Sequence, residues 1–333
     1  MAQEYTFKNP NDVVVSFAEG AAVGTARTNS QAHTLPIVTS YTPPSRAVPL
    51  EVKGQRSGTA VQETNQTLHR RDNQLFPFDV TFKGTNASIA TACNVMFEDS
   101  AGVKALTGAY SFNGIYHGES TTNMTDVVFQ NLNGDPTAAD VQMMSCIGTS
   151  MTISQDIGTE GGDMMINLGL TTGYEPIVSD YGALSSVTDD ANGTIYNINT
   201  MTEAGQGIDG QSLVITGWSI TFNRTIERIG SYVAGDTTNY DPIAIGMSGA
   251  MEVTGSITCK ADAETHDFEN HFYDNSTCII NLQGAGFQFN LPTAKLEPFT
   301  YDTGGAAVMQ TIPFRGLANS ANSAHSIIDI THS

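Results

Sequence analysis

The sequence predicts an all-β fold of mostly antiparallel strands, a β-sandwich or barrel, with one short α-helix in each of two repeated units. Apolar and polar residues alternate along several segments, Gly, Thr, Ser and Asn are abundant, and only 14% of the residues are charged. A period of two indicates strands with one buried face, and this composition favours turns over helix surfaces. A chain of 333 residues is long enough for two domains, each with its own core.

The first repeated piece is a strand that leads into a short helix. The alternating strand Phe76–Lys83 precedes a predicted helix from about Asn86 to Phe97, with Asn86 as its N-cap. The alternating strand Met251–Lys260 precedes a second predicted helix, from about Asp262 to Tyr273. Each helix is short and carries a limited apolar stripe, so we expect both helices to pack on a sheet.

The second repeated piece is a hairpin with a Gly-Gly turn. Met151–Gly162 leads into Met164–Leu168, and Lys295–Gly305 leads into Val308–Ile312. Because strand, helix and hairpin occur twice in this order, the sequence predicts an assembly built from copies of one β-rich unit. Further strands are predicted at Val13–Phe17, Leu35–Thr39, Tyr110–Tyr116, Val127–Leu132, Leu213–Ile226, Thr277–Leu282, Phe287–Leu291 and Ile327–Ile330.

These units predict two domains. The first covers residues 1–180 and includes a basic arm at 45–72 and an insertion at 114–140, and the second covers residues 211–333. The segment 181–210 is rich in Ser, Thr, Asp, Asn and Gly, which is typical of a linker or a mobile loop.

Acidic residues dominate the charge. Thirty-four Asp and Glu against fourteen Lys and Arg give a net charge of -20, which argues against a protein that wraps nucleic acid. No basic residue lies between Lys104 and Arg224. The basic arm, in contrast, contains Arg46, Lys53, Arg56, Arg70 and Arg71. This asymmetry fits a solvated acidic surface, a complementary interface between subunits, or an acid-lined channel.

No motif predicts a catalytic, cofactor or metal site, so an enzyme is not expected. The sequence has no P-loop, HExxH or nucleophile elbow. Acidic and His residues crowd the second helix, where a solvated face is favoured over a metal site. The four cysteines lack CxxC spacing and are expected as core residues in a reducing compartment, with a Cys259–Cys278 pair left open. Neither a signal peptide nor a membrane-spanning run is predicted.

Several of these segments resemble the tail tube proteins of long-tailed bacteriophages. The resemblance lies in the hairpins "DIGTEGG" and "YDTGG", and in "GWSITFNRTIERIG" followed by "DPIAIGMSGAMEVTGSIT", within residues 45–315. It implies two tandem tail-tube-like domains whose strands join a continuous barrel between subunits. Rings of such subunits stack into a hollow conduit for genome ejection.

The resemblance also implies partners and a location. The chain is expected to assemble with itself as a trimeric ring of pseudo-six-fold symmetry, or alternatively as a hexamer. Tape measure, tail tip and terminator proteins are the other implied partners, and DNA passes through the lumen without specific binding. The implied location is the tail of the virion, with assembly in the host cytoplasm.

Two sets of residues are predicted to serve this role. Asp79 and Glu252 lie on the polar faces of alternating strands and are expected to face the lumen, where acidic side chains repel phosphate. The basic arm is expected to contact the next ring. The alternative function is a virion decoration protein or a receptor- or carbohydrate-binding β-sandwich. Such a binder should expose Trp and Tyr on one face, whereas Trp218 lies at a predicted core position. A glycosidase with an unseen carboxylate pair stays a third alternative.

Overall fold

The computed structural model describes residues 13–21, 24, 26–42, 50–52, 67–69, 75–97, 108–111, 124–131, 140–190, 193–201, 207–211, 213–231, 242–261, 263–305, 307–318 and 327–332. The all-β prediction is confirmed, since the described residues form many strands and two α-helices.

Twelve of the described strands lie before residue 190. They are β1 (Val13–Ala21), β2 (Ala32–Leu35), β3 (Val38–Thr42), β4 (Leu50–Val52), β5 (Thr67–His69), β6 (Phe76–Lys83), β7 (Gly108–Ser111), β8 (Met124–Asn131), β9 (Asp140–Asp156), β10 (Met165–Thr172), β11 (Ile177–Ser179) and β12 (Ser186–Asp189). The remaining described strands are β13 (Gly207–Ile208), β14 (Ile215–Asn223), β15 (Ile226–Ser231), β16 (Pro242–Met247), β17 (Glu252–Lys260), β18 (Cys278–Gly284), β19 (Phe287–Leu296), β20 (Thr300–Asp302), β21 (Met309–Gly316) and β22 (Asp329–His332).

The two helices follow the predicted strands. Helix α1 spans Asn86–Met96 and helix α2 spans Ala263–Tyr273. The predicted N-cap was wrong by one residue, because Thr85 rather than Asn86 caps α1. The Thr85 hydroxyl accepts a hydrogen bond from the Ser88 amide, and the Ser88 hydroxyl accepts one from the Thr85 amide, which completes a capping box. Asn86 is the first helical residue, and its side chain contacts His332.

A central antiparallel sheet runs through both halves of the chain. Its described strands follow the order β3–β6–β10–β9–β14–β17–β21–β20. The first four come from the first predicted domain and the last four from the second. Strands β9 and β14 therefore join the two halves by continuous pairing, from Gly217 opposite Asp156 to Asn223 opposite Ser150.

Two further groups of strands cover one face of the central sheet. One group has the order β12–β2–β1–β8–β9–β11, and the other has the order β13–β18–β19–β22–β7. Aromatic rings pack between the layers, with Phe78 5.6 Å from Phe129 and Trp218 5.5 Å from Phe289 between ring centroids. One hydrophobic cluster extends through both halves. All four cysteines are buried, as expected for core residues, and Cys259 and Cys278 are not joined in a disulfide.

The segments between the repeated pieces contain strands that join the sheets. Within the segment 181–210, predicted as a linker or mobile loop, β12 pairs with β2 and β13 pairs with β18. Within the insertion predicted at 114–140, β8 lies between β1 and β9. The predicted strand Leu35–Thr39 is divided at Pro36 into β2 and β3, since proline does not continue a strand readily.

The two strand-to-helix units share their hydrogen bonds at a constant separation of 177 residues. The amides of Lys83 and Lys260 donate to the carbonyls of Ile37 and Val214, at 2.9 and 3.2 Å. Two further hydrogen bonds repeat at the same spacing. The Thr39 hydroxyl donates to the Thr81 carbonyl, and the Thr216 hydroxyl donates to the Thr258 carbonyl, each at 3.2 Å. The neighbouring strands β3 and β14 also carry their register shift at these threonines.

The hairpins agree with this correspondence. Lys83 and Lys260 lie opposite Met165 and Met309, the first residues of β10 and β21. Each hairpin also contains an aspartate that accepts a hydrogen bond from the amide two residues later, Asp156 from Gly158 at 2.7 Å and Asp302 from Gly304 at 2.8 Å. The second hairpin is shorter, so Asp302 lies opposite Met309 at the ladder position that Ser154, two residues before Asp156, occupies opposite Met165. In their pairing pattern, β6 thus corresponds to β17, β10 to β21, and β3 to β14.

Candidate functional site

The face of the central sheet that no described strand covers is the candidate functional site, and we call it the polar face. Along β6, β21 and most of β14, β17 and the last third of β9, buried side chains alternate with half-buried or exposed ones, so the sheet has a buried apolar face and a second, more open face. Hydroxyl and amide side chains dominate the second face. One row across the sheet consists of Thr81, Asn167, Thr152, Thr221, Thr254 and Arg315.

Hydrogen bonds between neighbouring strands tie these side chains together. Asn167 Nδ2 donates to Thr81 Oγ1 at 3.1 Å. The hydroxyls of Thr152 and Thr221 are 3.0 Å apart at the junction of the two halves. The pairs Ser219–Ser256 and Thr258–Thr311 repeat this contact, each at 3.2 Å. Mutual bonding holds the small polar groups close to the sheet and leaves a wall of low charge.

The predicted lumen acids both lie on the polar face. Asp79 and Glu252 are exposed and occupy one row, which runs from Asp79 through Gly169, Ser150 and Asn223 to Glu252. Four steps between strands separate them, which is about 19 Å at the usual strand spacing. The two carboxylates therefore do not converge as a catalytic pair must.

Glu252 has a basic partner that the sequence motifs did not reveal. Arg315 Nη1 lies 3.4 Å from Glu252 Oε1, and its Nε lies 3.5 Å from Glu297 Oε1. The Arg315 side chain is 45% exposed, so this ion-pair cluster contributes little stability. The cluster matters for the charge of the polar face, because Arg315 partly neutralises Glu252. The signal available in the sequence was the alternation of β21, which places Arg315 on the same face as Thr311.

The lysines at the ends of β6 and β17 differ in their surroundings. Lys83 Nζ lies 2.9 Å from Asp163 Oδ2, and Lys260 is exposed. Partial burial acts to raise the pKa of Asp163, but hydrogen bonds from Asn197 and Lys83 outweigh it and lower that pKa below its ordinary value. The first lysine is therefore held at the rim of the polar face by an ionised partner.

The basic arm cannot be placed on this surface. Arg46, Lys53, Arg56, Arg70 and Arg71 all lie outside the described residues. Their contact with a neighbouring ring stays a prediction. Within the described ranges, no group of three metal-ligating side chains is present. His271 of α2 instead lies 3.0 Å from Asp209, in an ion pair if the imidazole is protonated.

A small aromatic cleft lies beside β20. It has a volume of about 220 Å³ and is lined by Glu269, Phe272, Tyr273, Pro298, Phe299 and Tyr301. Tyr301 donates a hydrogen bond to Glu269, and this bond, with some burial, raises the pKa of the phenol to about 12. Phe272, Tyr273 and Tyr301 are 41%, 74% and 49% exposed. These exposed rings are the feature that a binding protein should show.

No protein-family model matches the chain, and no curated protein matches it either. Among the described residues, neither helix has the length and apolar character needed to cross a bilayer. The features of the molecule that bear on function are therefore the polar face, the strands at the edges of the central sheet and the aromatic cleft.

Proposed function

We propose that this chain is a structural subunit of a viral tail tube, and that its copies form stacked rings around a hollow conduit for DNA. The observation that carries the proposal is the continuous central sheet. Four strands from each half of the chain join edge to edge, in the same order and with equivalent register. One face is buried, and the other is polar. A wall of this kind can surround a lumen if copies join at the two sheet edges.

The chemistry of the polar face suits the passage of DNA. Every exposed cation in a lumen binds phosphate and slows sliding, so a conduit needs few of them. On the polar face, Lys83 is paired with Asp163, Arg315 is shared between two carboxylates, and Lys260 is exposed at the end of β17. The remaining surface is mainly hydroxyl and amide. A sliding duplex therefore meets mainly weak contacts.

The size of the pore favours three copies per ring. Three copies provide 24 strands, which at about 4.8 Å each and a tilt of about 40° give a circumference of about 150 Å and a backbone diameter of about 48 Å. Two copies give a backbone diameter of only about 32 Å, and side chains on both walls narrow it further. Three copies with two equivalent units each produce pseudo-six-fold symmetry, and a hexamer remains the alternative. The implied tape measure, tip and terminator partners and the virion location belong to the same proposal.

Electron microscopy of the purified full chain tests this function. We expect stacked rings or hollow filaments with a central channel, and native mass spectrometry should give three chains per ring. Rings of six chains would remove the trimer and keep the tube. A protein that stays monomeric at all concentrations, with no channel in any image, would contradict the proposed function.

The aromatic cleft favours a second candidate, a receptor- or carbohydrate-binding protein of the virion. Exposed Tyr and Phe rings beside a carboxylate are suited to stacking on sugar rings and bonding their hydroxyls. This function predicts glycan binding by the monomer, lost in Tyr301→Ala. Glycan-array binding without ring formation would favour it over the tube.

A further inference from the structure

The junction between the two halves of this chain provides a template for the junction between two chains. Strand β14 is the first strand of the second unit, and its outer edge pairs with β9. Strand β3 is the equivalent first strand of the first unit, and within the described residues it pairs only with β6. Among the described residues of one chain, no strand pairs with β3 at the edge that β9 covers on β14.

The strand that should cover β3 is present at the other end of the sheet. Strand β20 pairs with β21 as β9 pairs with β10, since Asp302 lies opposite Met309 and Ser154 lies opposite Met165. On its outer edge, β20 has no strand partner among the described residues. The outer edge of β20 is equivalent to the edge of β9 that pairs with β14.

The helix ends show the same difference between the two units. Val95 and Met96 of α1 are 3% and 0% exposed, whereas their equivalents in α2, Phe272 and Tyr273, are 41% and 74% exposed. Residues that follow the β9–β14 junction cover the end of α1. Arg224 donates a hydrogen bond to the Val95 carbonyl at 3.4 Å, and Phe222 packs against Phe97 at 5.3 Å between ring centroids. At the end of α2, large apolar rings occupy the equivalent positions without such a cover.

We propose that β20 of one copy pairs with β3 of the next copy in the register of the β9–β14 junction. This inference rests on the proposed function, because it states how the ring closes. In the template Ser154 lies opposite Ser219, and equivalence places Asp302 opposite Thr42 of the neighbouring copy. Gly304 then lies opposite Ser40. The same contact brings the neighbour's first unit over Phe272 and Tyr273, so the aromatic cleft is part of the subunit interface.

Cysteine pairs test this register directly. Thr42 and Asp302 lie seven strand steps apart within one chain, about 34 Å, so a disulfide between them must join two copies. We expect oxidised T42C/D302C to form a covalent ladder that ends in a closed ring. The matched control S154C/S219C should form its disulfide within one chain. A register control, T42C/T300C, places the cysteines diagonally and should cross-link more slowly by roughly tenfold or more.

Two measurements guard against a folding defect. Mixing the single variants T42C and D302C should give only two-chain products, because each chain then carries one engineered cysteine. In the unmodified chain, hydrogen exchange at the amides of β3 and β20 should slow on assembly, while exchange at the already paired β9 and β14 should not change. The four native cysteines are buried, so they contribute little background.

The outcomes separate this inference from the proposed function. Rings with a channel but no T42C/D302C cross-link, or with faster T42C/T300C cross-linking, would overturn the register and leave the tube intact. Specific cross-links in an assembly without a channel would support the register and contradict the tube. The absence of both rings and cross-links, with unchanged exchange at β3 and β20, would overturn both.

Discussion

A buried pair at the junction of the two halves gives the sharpest test of the fold. Trp218 of β14 lies opposite Gln155 of β9, and its indole Nε1 donates to Gln155 Oε1 at 2.9 Å. The two residues are 3% and 1% exposed. Gln155 Nε2 is buried and has no hydrogen-bond partner among the described residues. The hydrogen bond at Gln155 Oε1 therefore raises the free energy of unfolding, whereas the buried, unpaired Nε2 lowers it.

The two single substitutions should differ in size. Trp218→Phe leaves Gln155 Oε1 without a donor at a cost of about 1–3 kcal/mol, and the smaller ring leaves a void that costs about 1 kcal/mol more. Gln155→Met leaves the indole N–H unpaired, but it also removes the unpaired Nε2, so its net effect should be close to zero. In the double variant every unpaired group is gone, and only the void remains as a cost.

A double-mutant cycle measures the coupling. Urea denaturation followed by far-UV circular dichroism should give a coupling free energy of about 2 kcal/mol or more between the two positions, because the cycle contains the penalty of an unpaired buried group twice. Gln130 supplies the control, because it is buried, donates to the Gly182 carbonyl and shares no partner with Trp218. Trp218→Phe and Gln130→Met should be additive. Additivity within about 0.5 kcal/mol for the Trp218–Gln155 pair would refute the described junction.

Three further predictions concern the polar face, the pH dependence and the packing. The double variant Asp79→Lys/Glu252→Lys should assemble normally, but its rings should retain DNA in a salt-dependent way, measured by DNA release at rising ionic strength. The matched control is Glu175→Lys/Glu227→Lys, which changes two residues off the polar face. Equal DNA retention by both double variants would contradict a lumen role for Asp79 and Glu252. Burial lowers the pKa of His33 below its ordinary 6.5, so the native state binds fewer protons than the unfolded state. The free energy of unfolding should therefore be highest above pH 6.5 and fall as the pH drops below that value. His33→Gln should reduce the difference between the denaturation midpoints at pH 7.5 and pH 5.5. Gly255→Ala places a methyl group 2.3 Å from Ser219 O and from Phe314 Cζ, so it should lower the free energy of unfolding by about 1–3 kcal/mol. Gly249 has open space around it, so Gly249→Ala should change that free energy by less than about 0.5 kcal/mol. Equal denaturation midpoints for the two variants would contradict the described packing.

Local patterns allowed the elements of this fold to be predicted. The alternation of Phe76–Lys83 and Met251–Lys260 gave both strands and the face that each one buries, because side-chain direction in a strand depends only on position along the chain. The exposed positions of Asp79 and Glu252 followed from the same alternation. The helix cap was misplaced by one residue because Thr85 and Asn86 are both good caps, and the choice depends on where the preceding strand ends.

The sequence by itself thus determined the fold class, the strand-to-helix and hairpin units, and the polar character of one face. Tertiary structure alone decided which strands are neighbours. Residues far apart in the chain meet in the β9–β14 pairing and in the ion-pair cluster of Arg315. They also meet in the core that both halves share and in the pairing of β12 with β2. Such contacts depend on register and on the closure of long loops, which a period of two does not specify. The equivalence of β3 with β14 shows the same division, since it depends on hydrogen bonds to neighbouring strands that repeat at a spacing of 177 residues.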